Sequence, residues 1–210
     1  ELGGHLMFEA GNMNLNGRLI DLGTTGNLSG ETNARRIFGS AGYITASRNL
    51  PIGFNGEIAD FGLHIDVGVN NFGPTEIRRS HFALNPFSSN GNINRFYDFR
   101  PSNPGLDPAP TLIMDFFDNE TLPGHTLSDY KIFHSFKDGF SWVRETGPVG
   151  DDPHSDFNVL ATGVNHLGTS AQGRSLITIS EFNCNNGPVV DLGPASRDIC
   201  AGASVEILSD

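Results

Sequence analysis

The sequence predicts an all-β protein in which short, β-solenoid-like or edge strands lead into an antiparallel β-sandwich. Three observations predict it. Turn-forming residues are dense, with 26 Gly and 12 Pro, and they punctuate the chain about every eight to twelve positions, the spacing of short strands. Where apolar residues are regular they alternate with period two, which puts them on one face of a strand. Helical periodicity is a minor component.

Residues 5 to 22 alternate in short bursts. Met13, Leu15 and Leu19 hold one register, and Ile20 and Leu22 hold the other after Gly17, as expected of successive solenoid rungs or a sandwich edge. Gly23-Thr24-Thr25-Gly26-Asn27 is a turn signal, and Ile37-Phe38 and Tyr43-Ile44-Thr45 are the next short strands. From Ile58 the alternation is clean, with Leu63, Ile65, Val67 and Val69 on one face and His64, Asp66 and Gly68 on the other, one half-buried strand.

Further strands are predicted at Glu76 to Leu84, Ile93 to Phe99, Thr111 to Phe117, Tyr130 to Phe136, Phe140 to Glu145, Phe157 to Thr162 and Leu176 to Phe182. Their spacing suggests two packed antiparallel sheets. The stretch from Pro101 to Pro110 is a proline-rich surface connection, because a fixed φ and a missing N–H do not suit a central strand. These elements divide the chain into solenoid-like rungs over 1–75, a sandwich over 76–183, and a linker with short strands over 184–210.

Composition narrows the function classes. The net charge is −11, with Lys only at 131 and 137, so the field repels phosphate backbones and anionic head groups. Nucleic acid is not an expected partner. No stretch approaches the roughly eighteen apolar residues of a membrane-spanning helix, so no membrane insertion is expected, and the N-terminus lacks the regions of a signal peptide, which points to a mature or excised piece. Cys184 and Cys200 would, if bridged, close a loop of about 15 residues that stabilises by roughly 3 kcal/mol in an oxidising compartment. Two buried free thiols are the alternative.

Several segments, in order, resemble a module repeated in large secreted and surface proteins of the Bacteroidota. They are Asn14-Leu15-Asn16-Gly17, Ile20-Asp21-Leu22-Gly23-Thr24-Thr25-Gly26, Gly42-Tyr43-Ile44-Thr45-Ala46, Ile77-Arg78-Arg79-Ser80-His81, Ile93-Asn94-Arg95-Phe96-Tyr97-Asp98-Phe99, Phe116-Phe117-Asp118-Asn119-Glu120 and Ser141-Trp142. A second resemblance, from Pro188-Val189-Val190-Asp191-Leu192-Gly193-Pro194 through Ile199-Cys200-Ala201-Gly202-Ala203-Ser204-Val205, is to the opening of immunoglobulin-like modules in gliding-motility and adhesion proteins of the same phylum. The resemblance implies a cell-surface or extracellular address reached by type IX secretion, and a non-catalytic structural or adhesive role. At Thr121-Leu122-Pro123-Gly124 the chain departs from the family's Leu-Asn-Gly turn, so a binding role carried by that turn is not transferred.

Candidate chemistry is sparse. Asp115, Asp118 and Glu120 form one acidic cluster and Asp151, Asp152 and Asp156 another. Both offer oxygen donors for a weak extracellular Ca²⁺ site, although neither matches the twelve-residue Ca²⁺ loop; solvated loop carboxylates are the alternative. No other cofactor is implied. Arg79, His81, Arg95 and Asp98 fall in predicted strands, where a buried Arg–Asp pair would join neighbours. The seven His residues show no metal-protease spacing, and neither a nucleophile elbow nor a phosphate loop occurs. An acid or nucleophile site assembled only by folding stays open. Phe87, Phe96, Tyr97 and Phe140 read as core more readily than as a sugar platform.

The expected role is contact without catalysis. Strands near Leu6 to Phe8 and at Val205 and Ile207 are candidates to add to a sheet edge of a neighbouring copy or module, giving a filament or tandem array. The alternative is a carbohydrate-binding module of a secreted polysaccharide-degrading enzyme, with a surface glycan as partner.

Overall fold

The computed structural model describes residues 4–84, 92–104, 110–121, 130–137, 139, 142–145, 149–150, 157–170 and 172–181. Cys184, Cys200, Val205, Ile207, Asp151, Asp152, Asp156, Phe87 and Phe140 lie outside them, and with these the disulfide, the second acidic cluster and the C-terminal strand. The described chain is almost all β, with one short 3-10 turn at Asp118–Glu120.

Six strands build two solenoid rungs. The first contains β1 (Leu6–Met7), β2 (Met13–Asn14) and β3 (Leu19–Asp21); the second contains β4 (Leu28–Ser29), β5 (Ile37–Phe38) and β6 (Tyr43–Leu50). Each strand of the first rung pairs in parallel with its counterpart in the second: Leu6 with Leu28, Met13 with Ile37, and Leu19 with Tyr43. Phe8, Leu15 and Leu22 of one rung and Leu28, Ile37 and Ile44 of the other are buried in the same apolar cluster, so each rung supplies the cover that the other lacks.

The turn at 23–27 is held tightly. A Cβ on Gly26 would lie 2.4 Å from the Gly4 carbonyl oxygen and 2.5 Å from that of Leu22, so only glycine fits. Arg48 reaches back to bond the Gly23 carbonyl and the Asn27 side chain.

The remaining strands are β7 (Asn55–Glu57), β8 (Leu63–Asp66), β9 (Gly73–Ser80), β10 (Asn92–Pro101), β11 (Thr111–Phe116), β12 (Tyr130–Ser135), β13 (Val143–Arg144), β14 (Val149–Gly150), β15 (Phe157–Ala161) and β16 (Ser175–Glu181). A seven-stranded sheet runs β13-β12-β16-β10-β9-β6-β3, and a five-stranded antiparallel sheet runs β14-β15-β11-β8-β7. One row of residues crosses the large sheet: Ile20, Ile44, Arg79, Tyr97, Ile177 and His134. The apolar members of that row pack against Leu63, Ile65, Leu112, Met114, Phe116 and Val159 of the smaller sheet in a single cluster. Full burial of each such side chain stabilises by about 1.5–3 kcal/mol.

The predicted strands fall where the alternation places them, with differences at their ends. Leu63, Ile65 and Val67 are buried, whereas Val69 is exposed, because β8 stops at Asp66 and Gly68 turns the chain at φ +56°. The two halves also share structure. Position 75 lies inside β9, and strands from both sides of it form the large sheet. Phe96 and Tyr97 are buried, as core residues.

Candidate functional site

Where the second rung meets the sandwich, charges are buried together. Alternation along β9 turns Thr75, Ile77 and Arg79 inward, and along β10 it turns Ile93, Arg95, Tyr97 and Phe99 inward. Two arginines therefore enter the space between the sheets, where Arg79 is 1% and Arg95 2% exposed. An unpaired charge there is expensive, and each guanidinium has its own carboxylate. Arg95 makes a two-pronged pair with Glu120, Nε to Oε1 at 3.0 Å and Nη2 to Oε2 at 2.8 Å. Arg79 donates to Glu31 Oε2 at 2.5 Å.

Both carboxylates also hold backbone. Glu120 Oε2 accepts the Phe117 N–H at 2.8 Å, and Glu31 Oε1 accepts the Ile37 N–H at 2.8 Å. The Ile37 contact falls on β5, so Glu31 helps to close the sandwich side of the solenoid, as the Ala59 carbonyl does for β4 by accepting the Leu28 N–H. A third arginine, Arg36, reaches Glu120 Oε1 at 3.5 Å and the Asn119 carbonyl at 3.3 Å. Asn119 is bonded in turn to Asn33.

The centre of the network is one carbonyl. The Phe61 oxygen accepts from Tyr97 Oη at 2.6 Å and Arg79 Nη1 at 2.9 Å, with Arg95 Nη1 at 3.5 Å. It is aimed there by a turn in which Ala59 and Asp60 have φ +56° and +55°, conformations that cost non-glycine residues about 1–2 kcal/mol each. Gly62 follows at φ +74°, and a Cβ on it would sit 2.7 Å from Arg95 Nη1.

Electrostatics follow from this packing. Burial alone would raise the Glu31 pKa, but Arg79 and then Arg95 outweigh it and hold the carboxyl below its usual range. Burial would lower the Arg95 pKa, yet Glu120, Tyr97 and Glu31 carry it above the usual value. Burial pushes the Tyr97 phenol up to about 12. The imidazole of His81 lies well below its normal value, from burial first and then from Arg79, Arg95 and Arg36. Arg79 Nε donates to His81 Nε2 at 3.2 Å, so the neutral ring keeps its proton on Nδ1, which has no hydrogen-bond partner among the described residues. Such a buried donor costs about 1–3 kcal/mol.

A cavity of about 590 Å³ opens on one side of the network, with Arg79 and Arg95 reaching its wall beside Glu31, Glu57, Asp60, His64 and Asp115. Several of these charged and polar groups are already committed to the fold. Glu57 accepts the Gly62 N–H at 2.7 Å, and His64 Nε2 lies 2.6 Å from Asn55 Oδ1.

Asp98 does not pair with Arg79 or Arg95. Asp98 has the opposite parity on β10 and faces away from the arginines, pairing with Arg100 at 2.6 Å and Arg174 at 3.1 Å. The first acidic cluster does not converge either. Asp115 lines the 590 Å³ cavity, Asp118 is exposed, and Glu120 is fully buried against Arg95. Among the described residues no three His, Cys, Asp or Glu side chains gather to hold a metal ion.

Leu6 and Phe8 lie in the first rung, but their N–H groups already donate to the Asn27 and Ser29 carbonyls at 2.8 and 2.9 Å. Met7, between them, points its backbone groups the other way by the alternation of the ladder. Sequence reasoning missed Glu31 and Arg36. The signal available was parity: Arg79 and Arg95 occupy apolar-face positions of neighbouring strands and so require carboxylates from elsewhere.

Comparison with protein-family models, with curated proteins and with solved structures finds no match.

Proposed function

We propose that the protein is a non-catalytic, extracellular structural or adhesive module of a cell-surface protein, which associates with neighbouring modules or copies by β-strand addition. The family resemblance of the Bacteroidota surface proteins motivates the address. The observation that carries the association is the asymmetry of the solenoid. The second rung is closed on its sandwich side by the Ala59 carbonyl, by Glu31 and by β9. In the described residues the first rung pairs only with the second, and Met7 and Leu19 on it are 61% and 53% exposed.

An open parallel edge with apolar residues is a template for another rung. The occupant is a rung-forming β segment of a neighbouring module, since the existing rungs already define the spacing and direction it must match. The internal charge network supports the same role, because it locks the solenoid to the sandwich and makes a stiff spacer.

Sedimentation and electron microscopy of the 210-residue chain test the reading. Concentration-dependent association that disappears when Met7 and Leu19 are both changed to Lys supports it, while a chain that stays monomeric at every concentration overturns it. Deletion of residues 189–210 separates the two ends: association that persists assigns the contact to the first rung alone.

A further inference from the structure

A second cavity, of about 460 Å³, meets the network at Arg36 and His81 and is bordered also by Asn14, Phe38, Ser40 and Asn94. Its volume is in the range usual for small-molecule sites, about 300–1,000 Å³. Its chemistry differs from that of the larger cavity, whose wall holds four carboxylates. Here the wall holds none.

The groups in contact behind it are three guanidiniums, Arg36, Arg79 and Arg95, and two carboxylates, Glu31 and Glu120, an excess of one positive charge in a chain whose net charge is −11. His81 adds an independent indication. It is 4% exposed, its tautomer is fixed by Arg79, and its Nδ1–H lacks an acceptor among the described residues. Arg36, with five N–H groups available to a guanidinium, directs two of them at Glu120 and Asn119 over the long distances of 3.5 and 3.3 Å. The wall therefore carries positive charge at Arg36, with the His81 Nδ1–H buried beneath its surface.

We propose that this cavity binds the carboxylate of an acidic sugar, a hexuronate. Arg36 meets the carboxylate, with the His81 ring in the wall beside it. The amide and hydroxyl groups of Asn14, Asn94 and Ser40 suit ring hydroxyls, and Phe38, 38% exposed, offers an apolar surface at the rim for a sugar face. The site shares Asn14 with the first rung, but its test reads sugar binding and not association, so its failure would leave the structural reading untouched.

Titration of the intact chain with glucuronate, glucose and acetate, followed by calorimetry and by the imidazole ¹⁵N signals of His81, tests it. Glucuronate is expected to bind at least tenfold more tightly than either glucose or acetate and to move the His81 Nδ1 resonance. Phe38→Ala, an exposed change that spares the buried network, is expected to weaken it severalfold. Equal binding of glucose, equal binding of acetate, or an unmoved His81 signal each overturns the proposal.

Discussion

Arg79 and Tyr97 stand opposite each other across the β9–β10 ladder and end on the same acceptor, the Phe61 carbonyl, at 2.9 and 2.6 Å. Two strands of the large sheet are thereby tied to the turn that precedes β8 in the small one. The layers are joined by a polar pin through a mainly apolar core, and the pin works only while its charges are balanced.

Glu120→Ala strands the Arg95 guanidinium without its carboxylate. Removing one partner of a buried pair costs about 3–5 kcal/mol, and urea unfolding should show a loss of that size. A double variant, Glu120→Leu with Arg95→Met, should recover part of it, because no lone charge then remains. A single variant that unfolds at the wild-type midpoint would show that the pair contributes nothing.

Gly62→Ala combines a positive φ with a 2.7 Å approach to Arg95 Nη1. Gly53 provides the control, since its φ is +75° with nothing within 4 Å. Gly53→Ala should cost about 1–2 kcal/mol from backbone strain alone, and Gly62→Ala measurably more. Equal melting temperatures for the two variants would remove the steric argument.

Acid should weaken the fold through two groups. The His81 folded pKa is well below 6.5, so its contribution is complete above 6.5 and declines as pH falls, by about 1.4 kcal/mol per unit between its unfolded and folded values. Glu31, lowered from 4.5, contributes stability above 4.5 that is lost as pH falls through its folded value. His81→Gln should flatten the stability profile between pH 6.5 and pH 5 relative to wild type, and parallel profiles would contradict the assignment.

Lysines at Met7 and Leu19 should leave folding stability within about 0.5 kcal/mol, as exposed substitutions do. They should still lower any self-association, because charge on an open edge opposes pairing. Chemical unfolding and light scattering on the same samples separate the two effects.

Much of the strand layout was legible in order along the chain. Leu63, Ile65 and Val67, or Leu112, Met114 and Phe116, announce an inward face by period two, and that pattern is local. The parallel pairing of Met13 with Ile37 was legible only as a type of element, because register between rungs depends on the length of the intervening corner. Val69 escaped its alternation through a turn at Gly68 that the apolar count alone does not reveal.

Turn density and period-two alternation were enough to read an all-β chain and the place of most of its strands, and they put Arg79 and Arg95 in strands. Which face those arginines take and which carboxylates meet them follow from the folded arrangement. Asp98 is three residues from Arg95 but on the opposite face, while Glu31 lies 48 positions from Arg79 and Glu120 lies 25 from Arg95. Side-chain parity is set by neighbours in the chain, whereas charge pairing is set by which corner of the solenoid and which end of β11 fold over the same gap.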